Sequence, residues 1–160
     1  MNEAYKFRYA RREDSPLILE FIRGLAEYEK MSDQVVADEA LLEEWIFDRQ
    51  KAEVIFVLHD GKEVGFALFF HNFSTFLGRA GLYLEDLFVF PEYRGMGYGK
   101  ALLKKLAAIA YERGCGRLEW SCLDWNRPSI DFYLSLSAEP MADWTVYRLS
   151  GDTLKSMAQD

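Results

Sequence analysis

Apolar residues recur along this chain with two different periods, and the points where the period changes mark its elements. Tyr5 to Ala10 reads as a first strand. Leu17, Ile18, Phe21, Ile22 and Leu25 then return at helical spacing, which predicts a helix to about Tyr28 with one face in a core. Ser15 and Pro16 are its start signals. A second, short helix follows Asp38, with Leu41, Leu42, Trp45 and Ile46 on its apolar side.

The period then shortens. Val54 to His59 and Val64 to His71 are β-branched and aromatic runs separated by Asp60-Gly61, a pair that accepts the positive φ of a tight hairpin, so the two strands should pair antiparallel. A polar loop is expected over residues 72–79, then a strand from Leu82 to Phe90 stopped by Pro91. Leu102, Leu103, Leu106, Ile109 and Ala110 place a helix over Lys100 to Arg113, and Gly114 and Gly116 bracket its end. Beyond it lie a strand at Arg117 to Leu123, a short helix at Pro128 to Leu136, a last strand at Trp144 to Leu149 and a helical tail near Thr153 to Ala158. With no repeat, linker or low-complexity stretch, residues 1–160 read as one α/β domain around a mixed sheet.

Composition removes several classes of function. A net charge of -7 argues against general affinity for nucleic acid and ranks a cationic partner above an anionic one, although solubility alone also explains such a charge. The two cysteines, Cys115 and Cys122, form no C-x-x-C, and the N-terminus has no secretory pattern, so a reducing, cytoplasmic setting with two buried thiols is expected. With only His59 and His71 and no clustered ligand motif, no metal is expected. No apolar run approaches a bilayer span, so no membrane partner is expected either.

The candidate chemistry sits at Arg94-Gly95-Met96-Gly97-Tyr98-Gly99, followed by Lys100. Three alternate glycines let a backbone approach a ligand closely, and the helix start behind them presents free N–H groups with partial positive charge, a setting for a phosphate. Walker A spacing fails, because Arg94 stands where its first glycine belongs and Ala101 where Ser or Thr must follow Lys100. A dinucleotide fingerprint fails too, since the third glycine position falls on Leu102 and the turn lies in mid-chain. A glycine-rich loop made only for turning is the bland alternative.

Arg94-Gly-x-Gly-x-Gly resembles the Arg/Gln-x-x-Gly-x-Gly/Ala acetyl-CoA signature of GNAT N-acetyltransferases. Further words resemble the branch of diamine acetyltransferases, the spermidine/spermine and thialysine N-ε-acetyltransferases: Leu25-Ala-Glu-Tyr-Glu-Lys30, Tyr83-Leu-Glu-Asp-Leu-Phe-Val89, Pro91-Glu-Tyr-Arg-Gly95, Leu123-Asp-Trp-Asn126 and Phe132-Tyr133. The resemblance spans about residues 5–150. It implies the GNAT acyltransferase fold, a mostly antiparallel central sheet flanked by helices, with acetyl-CoA as co-substrate, a small amine as acceptor and a two-fold homodimer.

Roles follow residue by residue from that resemblance. Arg94 to Lys100 would hold the pyrophosphate. Leu87, Phe88 and Val89 would hydrogen-bond pantetheine and the thioester carbonyl through a backbone that splays from the next strand. Glu85 would contact the amine and act as base, where residues alone leave a salt-bridged strand carboxylate equally open. Asp86, expected on the opposite face of the strand, reads as structural. Tyr133 would protonate the departing sulfur and touch the cofactor, where pattern alone suggests a packed aromatic. Asn126 either caps the helix containing Pro128 or contacts the cofactor, and the two are compatible. Tyr28 and Glu29 match positions that touch the amine, and residues 27–48 hold eight acids against Lys30 alone, a field that suits a polyamine or lysine-like amino acid and equally suits a solvated helix face. Trp144 reads as a pocket wall or as core.

The chain departs from the family at Ser137-Ala138, where Gly-Ala is usual. A glycine there would end a helix in a left-handed turn, so the acceptor side is where geometry should differ. Transfer by direct attack in a ternary complex is the expected reaction: both cysteines lie far in sequence from His59 and His71, and no G-x-S-x-G turn exists. A protein lysine or N-terminal acetyltransferase and a non-catalytic acyl-CoA-binding module are the competing readings.

Overall fold

The computed structural model describes residues 5–159, and the ends of the expected 1–160 domain lie outside them. These residues fall into two compact units, one ending at Ser121 and one beginning at Cys122.

The first unit is built on a five-stranded sheet in sequential order. Strands β1 (Lys6–Tyr9), β2 (Glu53–His59), β3 (Lys62–Ser74) and β4 (Arg79–Val89) pair antiparallel, and β5 (Leu118–Trp120) pairs parallel to β4. The alternation in the sequence sorts the two faces. Phe56, Phe66 and Phe88 stand opposite one another across β2, β3 and β4, and all three join a core with Ile18 and Phe21 of helix α1 (Ser15–Tyr28). Phe21 stacks on Phe66 at 5.0 Å and on Phe90 at 4.2 Å. Helix α2 (Glu39–Leu42) continues into a π-helical turn, Glu43–Asp48, and adds Leu42 and Ile46 to that core.

The next position on each strand points the other way. Val57, Gly65 and Val89 are in register, and a Cβ on Gly65 would lie 2.9 Å from Val57, 3.1 Å from Val89 and 3.3 Å from Leu102. Gly65 therefore lets helix α3 (Tyr98–Glu112) lie close against the sheet. The sheet is thus covered by α1 and α2 on one face and by α3 on the other.

Asp60 (φ 48°) and Gly61 (φ 79°) form the expected hairpin turn of the mirror-image type, and Gly114 (φ 75°) closes α3 with its own amide on Tyr111 and that of Cys115 on Ala110. Several expectations need correction. Asp14, not Ser15, is the N-cap of α1, and its carboxylate is taken by Arg8 at 2.7 and 2.8 Å. Residues 72–74 and 79 are strand, not loop, with Ser74 paired to Arg79. The cysteines are half-buried. No helix among the described residues is long and apolar enough to cross a membrane.

The second unit holds helix α4 (Arg127–Ser135) and helix α5 (Gly151–Gln159). The strand expected at Trp144–Leu149 is irregular chain, and Trp144, Val146 and Tyr147 are 78 %, 81 % and 91 % exposed, so Trp144 is not core. A strand pattern becomes a strand only when a neighbour accepts its ladder, and none among the described residues does.

Helix α4 ends on the departure from the family pattern. Ser137 sits at φ 66°, its amide on the Leu134 carbonyl (3.0 Å) and the Ala138 amide on that of Tyr133 (3.2 Å), the double bond of a left-handed helix end. Serine occupies the conformation that glycine favours. Ser137→Gly is expected to stabilise the protein by about 1 kcal/mol, read as a higher urea midpoint at unchanged slope.

Candidate active site

Strand β4 delivers the chain to the glycine turn through a single 3₁₀ turn, Pro91–Tyr93. Gly95 (φ 79°) and Gly97 (φ 86°) are both left-handed, and Gly97 is the N-cap of α3. The alternate glycines are therefore required by backbone conformation. The first helical amide to close on the turn is that of Ala101, on the Gly97 carbonyl at 2.9 Å. The amides of Tyr98, Gly99 and Lys100 thus lie in the open first turn of a 15-residue helix. Arg94, Gly95, Met96, Gly97 and Lys100 are exposed, and a Cβ on Gly95 would meet nothing within 4 Å. An accessible, amide-rich, positively polarised helix start of this kind fits a pyrophosphate.

Arg94 packs beside this turn. Its guanidinium lies over Tyr28 at 5.1 Å and Phe88 at 5.2 Å, and its Nε donates to the Val89 carbonyl at 3.3 Å. It fastens the turn to the end of β4 and to the C-terminus of α1, joining a residue expected on the cofactor side to one expected on the amine side.

The β4 edge opens beside this turn. Its ladder with β5 runs only from Leu82↔Leu118 to Leu84↔Trp120, so residues 85–89, including Leu87, Phe88 and Val89, have no β5 partner. Across β3 the register slips: Leu68 faces Asp86 while Phe69 faces Leu84, leaving Glu85 as the extra residue of a bulge. Glu85 is exposed there. Leu87 lies under the start of α3, its Cδ2 3.9 Å from a Cβ built on Gly99.

Beside Glu85 lies the residue that sequence reasoning set aside. Asp86 is half-buried, and its carboxyl is pushed up to about 6, first by burial and then by Glu85 and Glu29. Burial also raises Glu29, the residue closing α1. The acid-rich stretch of residues 27–48 is only partly available, since Glu43 and Asp48 pair with Arg12, and Glu44 with Arg49 at 2.8 Å. A folded-state value of about 6 against an ordinary 3.8 means that the folded chain keeps this proton longer than the unfolded one. The associated stability is present at low pH and lost as pH rises toward 6. Asp86→Asn is therefore expected to raise stability by on the order of 2 kcal/mol above pH 7 and by almost nothing below pH 4, measured as paired urea titrations across that range.

In the second unit, Asn126 is buried and its side-chain oxygen accepts from the Ser129 amide at 3.4 Å, capping α4 with Pro128 in the first turn. Tyr133 is half-buried on α4, its ring 5.8 Å from that of Phe132. A surface cavity of about 240 Å³ is lined by Gln50, Glu53, Phe70 and His71, at the opposite end of β2 from the glycine turn.

Residues 19–137 match the model of the acetyltransferase (GNAT) family. The chain belongs to the GNAT family. It is similar to the thialysine N-epsilon-acetyltransferase of Bos taurus, 37% identical over 94% of this chain and 95% of that protein. It is also similar to an L-ornithine N5-acetyltransferase of Arabidopsis thaliana, 42% identical over 62% of this chain and 44% of that one. Among solved structures, an integron cassette protein from the V. cholerae mobile metagenome superposes with a TM-score of 0.82 at 27% identity, covering 99% of this chain and all of that one. As a GNAT member, the protein is an acetyl-CoA-dependent N-acetyltransferase, and its mixed five-stranded sheet flanked by helices is the fold expected of that family.

Proposed function

We propose that this enzyme transfers acetyl from acetyl-CoA to a primary amine of a small lysine-like amino acid or diamine, by direct attack in a ternary complex. The observation that carries the reading is the β4 edge. Residues 85–89, unpaired by β5, lead through the Pro91–Tyr93 turn to the glycine turn, with carboxylates at 85 and 86 at the start of that line and the open amides of residues 98–100 at its end. Pantetheine binds along the backbone of Leu87, Phe88 and Val89, and the pyrophosphate sits on residues 94–100. Arg94 holds this arrangement in place through Tyr28, Phe88 and Val89.

An alkylammonium has a pKa of about 10, so attack requires removal of a proton. Glu85, exposed at the bulge, takes it directly or through water. Asp86 and Glu29 make the surroundings negative, which favours arrival of the cation, and Tyr28 lines the same approach at the end of α1. Amides facing the thioester carbonyl stabilise the oxyanion as it forms. Tyr133 supplies the proton to the departing sulfur, and Asn126 fixes the start of its helix and contacts the cofactor. The likeness to a thialysine and an ornithine acetyltransferase supports an amino acid with a free terminal amine. The family match runs across the boundary at Ser121, which supports one domain acting as a unit. A two-fold homodimer and a cytoplasmic setting complete the proposal, and light scattering on the purified protein tests the former.

The test is a CoA-release assay against thialysine, lysine, ornithine, putrescine, spermidine and a lysine peptide. One small amine is expected to exceed the peptide by at least tenfold in kcat/KM. A peptide that wins establishes a protein acetyltransferase instead, and CoA binding with no turnover on any acceptor establishes a binding module.

A further inference from the structure

The back of the glycine turn, away from the ligand side, carries chemistry that the proposed reaction leaves unused. Tyr5, ahead of β1, donates its hydroxyl to the carbonyl of Met96 at 2.9 Å. Met96 lies between the two left-handed glycines, so this bond fixes the peptide with the greatest freedom to rotate. A Cβ on Gly97 would come within 2.5 Å of the same Tyr5 oxygen. Tyr98, the first residue of α3, is buried, and its hydroxyl shares a hydrogen bond with Nδ1 of His59 at the end of β2. Asp60 lies 3.4 Å from the other ring nitrogen of His59, which favours a proton there and leaves Nδ1 as the acceptor for Tyr98. Burial raises the Tyr98 hydroxyl above its ordinary range, keeping it a donor. The rings interlock edge to face, Tyr5 on Tyr98 at 5.4 Å and Tyr93 on Tyr98 at 6.5 Å, with His59 5.3 Å from Tyr93.

A glycine-rich turn left to itself loses conformational entropy when it closes on an anion, and that loss subtracts from affinity. We propose that Tyr5 and His59 are positioning residues that hold the glycine turn in its pyrophosphate-binding conformation, Tyr5 through the Met96 carbonyl and His59 through the Tyr98 hydroxyl. The proposal rests on the reading that this turn receives the pyrophosphate of acetyl-CoA. Neither residue touches the ligand. Their effect is confined to the half of the cofactor that carries the pyrophosphate, and that confinement separates the brace from a general structural role.

The experiment uses acetyl-CoA, CoA and acetyl-pantetheine, which keeps the thioester and lacks the pyrophosphate. Tyr5→Phe and His59→Leu are each expected to weaken CoA binding and raise the KM for acetyl-CoA about five- to tenfold, the scale of one hydrogen bond. Both should leave kcat at saturation and the KM for acetyl-pantetheine within about twofold. His59→Asn, whose side-chain oxygen can take the Tyr98 hydroxyl, should recover most of the loss. Tyr5 is exposed, so Tyr5→Phe remains informative if His59→Leu fails to fold. An equal penalty on acetyl-pantetheine, or unchanged CoA affinity in Tyr5→Phe, overturns the brace. A wild-type enzyme that binds CoA no better than pantetheine removes the pyrophosphate reading itself, and the brace with it.

Discussion

Gly97→Ala is expected to raise the KM for acetyl-CoA about a hundredfold, while leaving the amine KM within a factor of about three. Two effects combine at this position. The backbone is left-handed at φ 86°, which costs an L-residue roughly 1–2 kcal/mol. The new methyl would also sit 2.5 Å from the Tyr5 hydroxyl oxygen, which is itself held on the Met96 carbonyl. Relieving that contact shifts either Tyr5 or the turn, and with the turn go amides whose bonds to a charged phosphate are worth roughly 1.5–3 kcal/mol each. Gly95 provides the control. It is equally left-handed at φ 79°, but a Cβ there meets nothing within 4 Å, so Gly95→Ala carries conformational strain alone and should raise the KM about tenfold. In a Tyr5→Phe background the clashing oxygen is gone, and Gly97→Ala should cost less than the sum of the two changes. Equal penalties at positions 95 and 97, or strict additivity with Tyr5→Phe, would show that contact with Tyr5 contributes nothing.

That contrast marks what the sequence could reveal. Three alternate glycines ahead of a helical pattern announce a turn where backbone replaces side chain, because the conformations at Gly95 and Gly97 exclude most other residues. The alternation that sends Phe56, Phe66 and Phe88 to one face and Val57, Gly65 and Val89 to the other is likewise written into the order of residues. The bulge at Glu85 is not. It adds one residue to one strand without changing composition, so alternation predicts only that Glu85 and Asp86 face opposite ways, whereas the fold half-buries Asp86 within the influence of Glu85 and Glu29. Nor does a motif say where a long side chain turns. Arg94 is expected among the phosphate contacts, and nothing in the motif announces that its guanidinium also lies over Tyr28 and Phe88. The segment from Trp144 to Leu149 fails for a third reason: its pattern describes a strand, but a strand exists only in its pairing, which a single stretch of sequence does not contain. Ser137 shows the reverse, a residue poorly suited to a left-handed position held there by two backbone hydrogen bonds.

Tyr133→Phe should lower kcat with the preferred amine by about a hundredfold or more, the contribution of a positioned proton donor, and leave both KM values within about threefold. The substitution removes one oxygen and keeps the ring that packs 5.8 Å from Phe132. The backbone carbonyl of Tyr133, which accepts the closing bonds of helix α4 from Leu136 and Ala138, is untouched. A thiol expelled without a proton leaves as a thiolate, and an alkyl thiolate with a pKa near ~8.5 is an adequate but imperfect leaving group. The deficit of Tyr133→Phe should therefore shrink when the acyl donor carries a more acidic thiol, because less protonation is then needed in the transition state. A residue that only packs the acceptor side would slow both donors alike. Unchanged kcat at saturating amine, or an equal deficit with both donors, would assign Tyr133 to packing and leave the sulfur to be protonated by solvent.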